Sequence, residues 1–317
     1  MGRIDANRQP PTANRLIAMP KDTRPVAGLN FVALSPLSFL RRAADTYAER
    51  PAVLYGAREY TWRQTAARCR RLASALQQLG VERGDTVSTL AANTPELIEA
   101  HYGVPLAGGV LNANNTRLDA ATIAYILRHS DCRVFITDTQ FSATAKRALA
   151  EVADMKRQPI VIDIVDEQAA GDAGDGERLG RMTYEELLAT GDPTAAWRGP
   201  ESEWDSLALN YTSGTSGRPK GVVYHHRGAY LMAMGTIAAW QVPRHPRYLY
   251  TVPLFHCNGW GHAWTMTAMG GTLVCNRLIR AEVIFDALEQ HRITHFGAAP
   301  IVLGLLADAP ATVRRRM

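Results

Sequence analysis

Residues 211–222 read Y-T-S-G-T-S-G-R-P-K-G-V, where small hydroxyl residues alternate with glycines ahead of an arginine, a proline and a lysine. Glycine permits unusual backbone angles, and Thr and Ser supply donors without bulk. Such a loop can therefore wrap N–H groups and hydroxyls around phosphate oxygens. Lys220 brings a mobile positive charge to the same place. A Gly/Ser-rich surface linker has a related composition. A linker has little need of a lysine fixed between Pro219 and Gly221, or of strand-like runs on both sides, so the phosphate loop is the preferred reading. A Walker loop would set its lysine directly after the second glycine of G-x-x-x-x-G-K-[ST]. Here Lys220 follows Arg218 and Pro219, so that nucleotide-triphosphatase pattern does not apply.

A second group lies in P-L-F-H-C-N-G-W at 253–260, which sets His256 beside Asn258, Gly259 and Trp260 at a predicted strand end. From position alone, a histidine satisfied by backbone is the plainer account of His256. His256 and His262 have glycines between them and no cysteine or carboxylate at a suitable spacing, which argues against zinc. No metal ligand is assignable from the sequence. His225 and His226 read as strand-end packing or loop residues, with contact near the phosphates as the alternative.

The elements that must position these groups follow from periodicity. Residues 1–35 are rich in Pro, Asn and Arg and read as an extended arm. From residue 36 strands alternate with helices: helix 38–44, strands 51–55 and 59–61, and a helix at 62–79 capped by Thr61. A strand at 86–91 follows, then a helix opening at Asn93-Thr94-Pro95-Glu96 with a cap and a first-turn proline. Further strands are predicted at 110–112, 133–137 and 160–164, with helices at 119–129 and 143–152 between them. The Gly/Asp-rich stretch 166–181 reads as a loop, and 183–188 as a short capped helix. Pro193, Gly199 and Pro200 mark an internal boundary, giving a first α/β lobe at 36–200 and a second at 201–317 that opens with the phosphate loop. Beyond it a helix at 227–240, a strand at 248–254, a helix at 264–269, a strand at 272–275, a helix at 282–291 and a strand at 294–296 are expected. This alternation predicts an α/β fold of mainly parallel sheets flanked by helices in two lobes.

Composition bounds the function. The chain has 317 residues, 46% hydrophobic, and a net charge of +5. Arg314, Arg315 and Arg316 supply three of those charges and leave +2 for the rest (5 − 3), which argues against a nucleic-acid partner. No apolar run reaches membrane-spanning length and the N-terminus has no apolar h-region, so a cytoplasmic protein without a membrane partner is expected. Cys69, Cys132, Cys257 and Cys275 lie far apart and predict buried free thiols in a reducing compartment.

The 211–222 run resembles, almost letter for letter, the signature Y-T-S-G-T-[ST]-G-x-P-K-G-V of the adenylate-forming superfamily, which includes acyl-CoA synthetases, peptide-synthetase adenylation domains and luciferases. Y-G-V-P-L-A-G-G-V-L-N at 102–112, followed by T-R-L at 116–118, resembles an earlier structural motif of that family. The 253–260 run resembles its aromatic/His motif at the acyl pocket. With H-H-R-G-A-Y-L at 225–231 and T-H-F-G-A-A-P at 294–300, the pattern is similar to the short and medium-chain fatty acyl-CoA ligases and the 3-methylmercaptopropionyl-CoA ligases, over roughly residues 30–310.

The resemblance implies a two-step reaction. A carboxylate attacks the ATP α-phosphorus to give acyl-AMP and pyrophosphate, and the coenzyme A thiol then displaces AMP. It makes Thr212, Ser213, Gly214, Thr215, Ser216, Gly217 and Lys220 the ATP phosphate contacts, with Mg2+ sharing the charge. It makes His256, Asn258, Gly259 and Trp260 acyl-pocket or gate residues. Gly297, Ala298, Ala299 and Pro300 either border that pocket or form a plain strand-to-helix turn. The family's adenine, ribose and magnesium motifs and its catalytic lysine have no counterpart here; no glutamate follows Glu289, so the family's magnesium carboxylate is not assignable to any residue after the acyl-pocket motif. The chain is therefore expected to be an N-terminal large domain truncated before the C-terminal small domain, and by itself catalytically incomplete. The alternatives are a non-catalytic remnant acting as a binding module and an aryl or amino-acid adenylating enzyme; a homodimer is left open.

Overall fold

A computed structural model describes residues 31–167, 176–197, 199–212 and 218–314. After helix α1 (Leu37–Thr46) and the hairpin β1 (Pro51–Tyr55) and β2 (Arg58–Thr61), helix α2 (Trp62–Gln78) starts at the predicted cap. Thr61 Oγ1 accepts from the Gln64 amide, and the Gln64 side chain accepts from the Thr61 amide, so two otherwise orphaned donors are satisfied. The buried face of α2 carries Ala66, Cys69, Leu72, Ala73 and Leu76, at the spacing of one helical stripe.

Strand β3 (Thr86–Leu90) is buried at every position, as a central parallel strand must be. It lies between β4 (Val110–Ala113) and β5 (Cys132–Asp138), both parallel to it. Helix α3 (Pro95–Leu106) is buried all round, Glu96, Glu99 and His101 included. Arg58 meets Glu96 at 2.6 Å and Arg68 meets Glu99 at 2.5 Å, which pairs the buried carboxylates. The side-chain cap predicted within Asn93-Thr94-Pro95-Glu96 is absent: the Thr94 hydroxyl makes no capping bond and is buried without a partner. The first-turn Pro95 already removes one orphan donor, so the helix starts without a side-chain cap.

Helices α4 (Ala120–His129) and α5 (Ser142–Glu151), strands β6 (Ile160–Ile164) and β7 (Met182–Thr183), and helix α6 (Tyr184–Thr190) complete the first half. Then come β8 (Ser206–Thr212), β9 (Lys220–His225), α7 (His226–Trp240) and β10 (Arg247–Leu249). The short α8 (Cys257–Trp260), α9 (His262–Ala268), β11 (Thr272–Val274), α10 (Ala281–Gln290), β12 (His295–Phe296) and α11 (Pro300–Ala307) follow. No helix among the described residues is long and apolar enough to cross a membrane.

The strands form a seven-stranded sheet, β7-β6-β5-β3-β4-β8-β9, and a five-stranded sheet, β12-β10-β11-β1-β2. All neighbours are parallel except β8/β9 and β1/β2. This is the predicted class of mainly parallel α/β structure, but the predicted division at residue 200 is corrected by the pairing. β8 joins β4 at Leu111↔Ala208, and β1 joins β11 at Val53↔Leu273, so each sheet takes strands from both sides of residue 200. The Pro/Gly cluster there is a connection between α6 and β8. Composition marks such a break without revealing which strands will pair across it. The arm predicted for 1–35 lies mostly outside the described residues, and its last part is built in: the Leu34 amide donates to Glu203 at 3.0 Å.

Arg277, just past β11, ties the two sheets together. Its guanidinium donates to Asp138 at the end of β5 and to Asp166 beyond β6, each at 2.7 Å, and to the Tyr55 hydroxyl at 3.0 Å. All three charged groups are buried. Burial pushes the Asp138 carboxyl up, and the Arg277 charge opposes that rise.

Candidate active site

The 211–222 run forms the turn end of an antiparallel hairpin. Thr212 pairs with Lys220, Tyr211 with Gly221 and Asn210 with Val222, so the strand-like runs predicted on both sides are the two arms of one ladder. Of the predicted phosphate contacts, Ser213, Gly214, Thr215, Ser216 and Gly217 lie outside the described residues. Thr212 and Lys220 are both exposed and directly opposite each other. Opposed residues have Cβ atoms about 5 Å apart, so the hydroxyl and the ammonium flank the base of one loop.

From Lys220 the chain runs along β9 into the wall of a cavity of about 330 Å³, to which this strand contributes Val223, Tyr224 and His225. His225 also caps α7: its Nδ1 accepts from the Gly228 amide at 2.9 Å. His226 is buried, with Nδ1 2.8 Å from the Ser35 hydroxyl, and desolvation lowers it to about 4. It is packing, as predicted for this pair, whereas His225 belongs to the cavity. Helix α7 presents Gly228, Ala229 and Met232 to the same space.

The facing wall is Cys257 and Trp260, with Trp264 of α9 behind them. Their approach to the cavity depends on an unusual backbone. Cys257, Asn258, Gly259, Trp260 and Gly261 have φ of 47°, 55°, 59°, 55° and 65°, so the segment labelled α8 is a left-handed turn. Each non-glycine residue there carries a penalty of roughly 1–2 kcal/mol. Several contacts hold it. A Cβ on Gly259 would lie 3.0 Å from Leu254 and 3.1 Å from the Tyr250 ring, so only glycine lets the turn sit this close. Buried Asn258 accepts from the Asn210 side chain of β8.

The turn also explains why the predicted strand 248–254 stops at Leu249. Asn93 reaches across from the loop after β3, donating to the carbonyls of Tyr250 (3.3 Å) and Val252 (3.0 Å) and accepting from the Leu254 amide (2.7 Å). Three of the segment's backbone groups are thereby taken by a side chain, while the Tyr250 amide still donates to the Val274 carbonyl of β11 at 2.9 Å. Asn93, read from the sequence as part of a helix start, is a brace for this turn.

Not every residue predicted for the pocket reaches the wall. His256 is exposed at the entrance to the turn, its amide bonded to the Pro253 carbonyl at 3.0 Å, and the cavity lining passes from Cys257 to Trp260 without it. Asn258 and Gly259 are buried under the turn. Gly297 to Pro300 form the strand-to-helix turn between β12 and α11. The Gly297 amide donates to the Tyr248 hydroxyl at 3.1 Å, and that hydroxyl lies 2.5 Å from His262 Nδ1. Ala298 packs into the cluster around Leu249 and Phe285, while Ala299 and Pro300 are exposed. Burial lowers His262 to about 4, so it is neutral at ordinary pH. Cys257 corrects the expectation of buried thiols: Cys69, Cys132 and Cys275 are buried, and Cys257 is exposed, because the left-handed turn faces it outward to the cavity. Burial pushes the Tyr224 hydroxyl beside it up to about 12, with Cys257 adding in the same direction.

Of the cavity residues only Trp260 was assigned to the pocket from the sequence; among those missed, Gly228, Ala229 and Met232 come from one helix. Their spacing of one and four residues on a predicted helix was the available signal, since it puts them on one face. Among the described residues no group of three or more His, Cys, Asp or Glu side chains converges.

Residues 40–316 match the family model for AMP-binding enzymes. Over 294 residues the chain is 44% identical to the peroxisomal acetate/butyrate–CoA ligase AAE7 of Arabidopsis thaliana, covering 91% of this chain and 52% of that protein. Over 279 residues it is 43% identical to the 2-methylpropanoate–CoA ligase CCL4 of Humulus lupulus, covering 88% and 50%. Among solved structures, a benzoate CoA ligase from Burkholderia xenovorans LB400 aligns with a TM-score of 0.74 at 25% identity, covering 87% of this chain and 52% of that one. The chain spans about half the length of the curated relatives it matches.

Proposed function

The chain belongs to the AMP-binding enzyme family, and from that premise we propose that it serves the ATP-dependent activation of a short-chain carboxylic acid for transfer to coenzyme A. The carboxylate oxygen bonds to the α-phosphorus as pyrophosphate leaves; the thiolate then bonds to the acyl carbon as AMP leaves. In this reading the 212–220 loop holds the phosphates and the 330 Å³ cavity holds the acyl tail.

The observation that carries it is that β9 belongs to both places. Lys220 opens the strand at the hairpin and Tyr224 stands in the cavity wall four residues later on the same strand face, about 13 Å along an extended chain. In this reading an acid seated in the cavity turns its carboxylate toward the phosphates, and holding the two reactants in one geometry is where much of such a rate enhancement originates. Lys220 neutralises phosphate charge, and Thr212 donates from the facing strand. The modest cavity, and relatives named for acetate, butyrate and 2-methylpropanoate, favour acids of a few carbons. 3-Methylmercaptopropionate is the next acid to test. Mg2+ enters only as the counter-ion of ATP, with no described residue assigned to it.

Acid-dependent exchange of pyrophosphate into ATP, measured with acetate, butyrate, 2-methylpropanoate, 3-methylmercaptopropionate and benzoate, tests the reading. Exchange that is fastest with a short acid and lost in Lys220→Ala supports it; fastest exchange with benzoate moves the assignment to an aryl enzyme. A second reading, a non-catalytic binding module, is favoured by the exposed Ile301, Leu303 and Leu305 on α11. ATP binding with neither exchange nor binding of any of these acids selects that one.

A further inference from the structure

Resting on the reading of the cavity as the acyl site, we propose that Met232 sets the length of acid the cavity admits, and that Gly261 is the seat that fixes Met232 in place. Helix α7 turns two small residues, Gly228 and Ala229, and one long residue, Met232, toward the cavity. Space is left open over the first two and filled one turn further on by the thioether.

The end of that side chain is held. A Cβ on Gly261 would lie 1.8 Å from Met232 Cε, 3.0 Å from its Sδ and 3.4 Å from the Trp264 ring. The methionine tip therefore occupies the volume that any side chain at 261 would need. Gly261 itself has φ of +65° at the end of the left-handed turn, where glycine is the unstrained choice. One turn along α7, the Thr236 hydroxyl donates to the Met232 carbonyl at 3.0 Å and to its sulfur at 3.6 Å. A thioether has no strong polar demand and fills such a seam well. Shortening it lengthens the cavity between α7 and Trp264 and leaves the Lys220 end of β9 untouched.

Each further methylene buried is worth about fourfold in affinity, so the inference predicts a length profile. The test is titration of the whole chain with straight-chain acids from acetate to octanoate, followed by tryptophan fluorescence, since Trp260 and Trp264 line the cavity. In the wild type, affinity is expected to stop rising after a few carbons. Met232→Ala should move that limit up by about two carbons, tightening hexanoate about sixteenfold while acetate changes less than twofold. Met232→Trp should move the limit down. Gly261→Ala should displace the thioether and weaken butyrate about tenfold, and adding Met232→Ala should recover the part of that loss due to the clash, while the strain of a side chain at φ +65° stays.

A Met232→Ala profile that superimposes on the wild type, or a Gly261→Ala loss that Met232→Ala does not relieve, overturns the inference while short-acid binding leaves the acyl reading standing. No binding of any acid to any of these proteins overturns both.

Discussion

The hairpin at 212–220 and the turn at 257–261 both carry the chain past the ends of strands, yet they prepare a site in opposite ways. The hairpin is regular up to its last pair, and what it offers is exposed side chains: a hydroxyl and an ammonium facing each other across a ladder. Its chemistry is in the letters. The turn offers a shape. Its left-handed backbone is held from behind by Asn93, Asn210 and the close approach of Gly259 to Leu254 and Tyr250, and only then do Cys257 and Trp260 reach the cavity. A site can thus spend little fold stability on binding charge and a good deal on shaping an apolar wall.

Substitutions should separate the two. Arg277→Ala removes what they share, the tie between the sheets, and leaves Asp138 and Asp166 buried without that countercharge. A loss of about 3–5 kcal/mol is expected in urea unfolding, with ATP and acid binding failing together. Gly259→Ala acts on the turn alone: strain at φ +59° and contacts near 3 Å should lower stability by about 2 kcal/mol. Acid binding should fall by more than tenfold with ATP affinity unchanged; equal loss of both would erase the contrast. Lys220→Ala should do the reverse, weakening ATP about tenfold by calorimetry with stability within about 0.5 kcal/mol of wild type.

The smallest effect concerns protons behind the turn. His262 titrates near 6.5 when unfolded and near 4 when folded, so the unfolded chain binds more protons between those values. Its contribution is complete above pH 6.5 and is lost as pH falls toward 4; the part lost between pH 7 and 6 is about 0.7 kcal/mol. Buried His101 and His226, also lowered to about 4, slope the same way, and the Glu99 carboxyl, pushed up by burial, slopes the other. The readout is therefore the difference between wild type and His262→Asn across that window, expected to be a shallower acid slope in the variant. Identical slopes would remove His262 from the account.

Legibility in the sequence followed the same contrast. Thr61 with Gln64 and Thr183 with Glu186 are capping boxes that local spacing announces, and both helices begin where they predict. The hairpin arms were legible for the same reason, since ladder partners a few residues apart leave their mark in one stretch. The division at residue 200 was misread because β1 meets β11, and β4 meets β8, through contacts between distant segments. Arg277 gives no local sign that it will meet Asp138 and Asp166. The left-handed turn was hidden behind N-G-W-G, whose glycines allow such a backbone without requiring it, and Asn93 looked like a helix start because its partners lie about 160 residues later.

The pairing of β1 with β11 also bears on how the chain is assembled. Val53 meets Leu273, 220 residues further on (273 − 53). At a synthesis rate of about 5–20 residues per second, the first strands wait roughly ten to forty seconds for their parallel partner to be made. During that interval the apolar edge of β1 has only the short β2 beside it. Growth on the ribosome therefore leaves the five-stranded sheet unfinished until its late strands emerge.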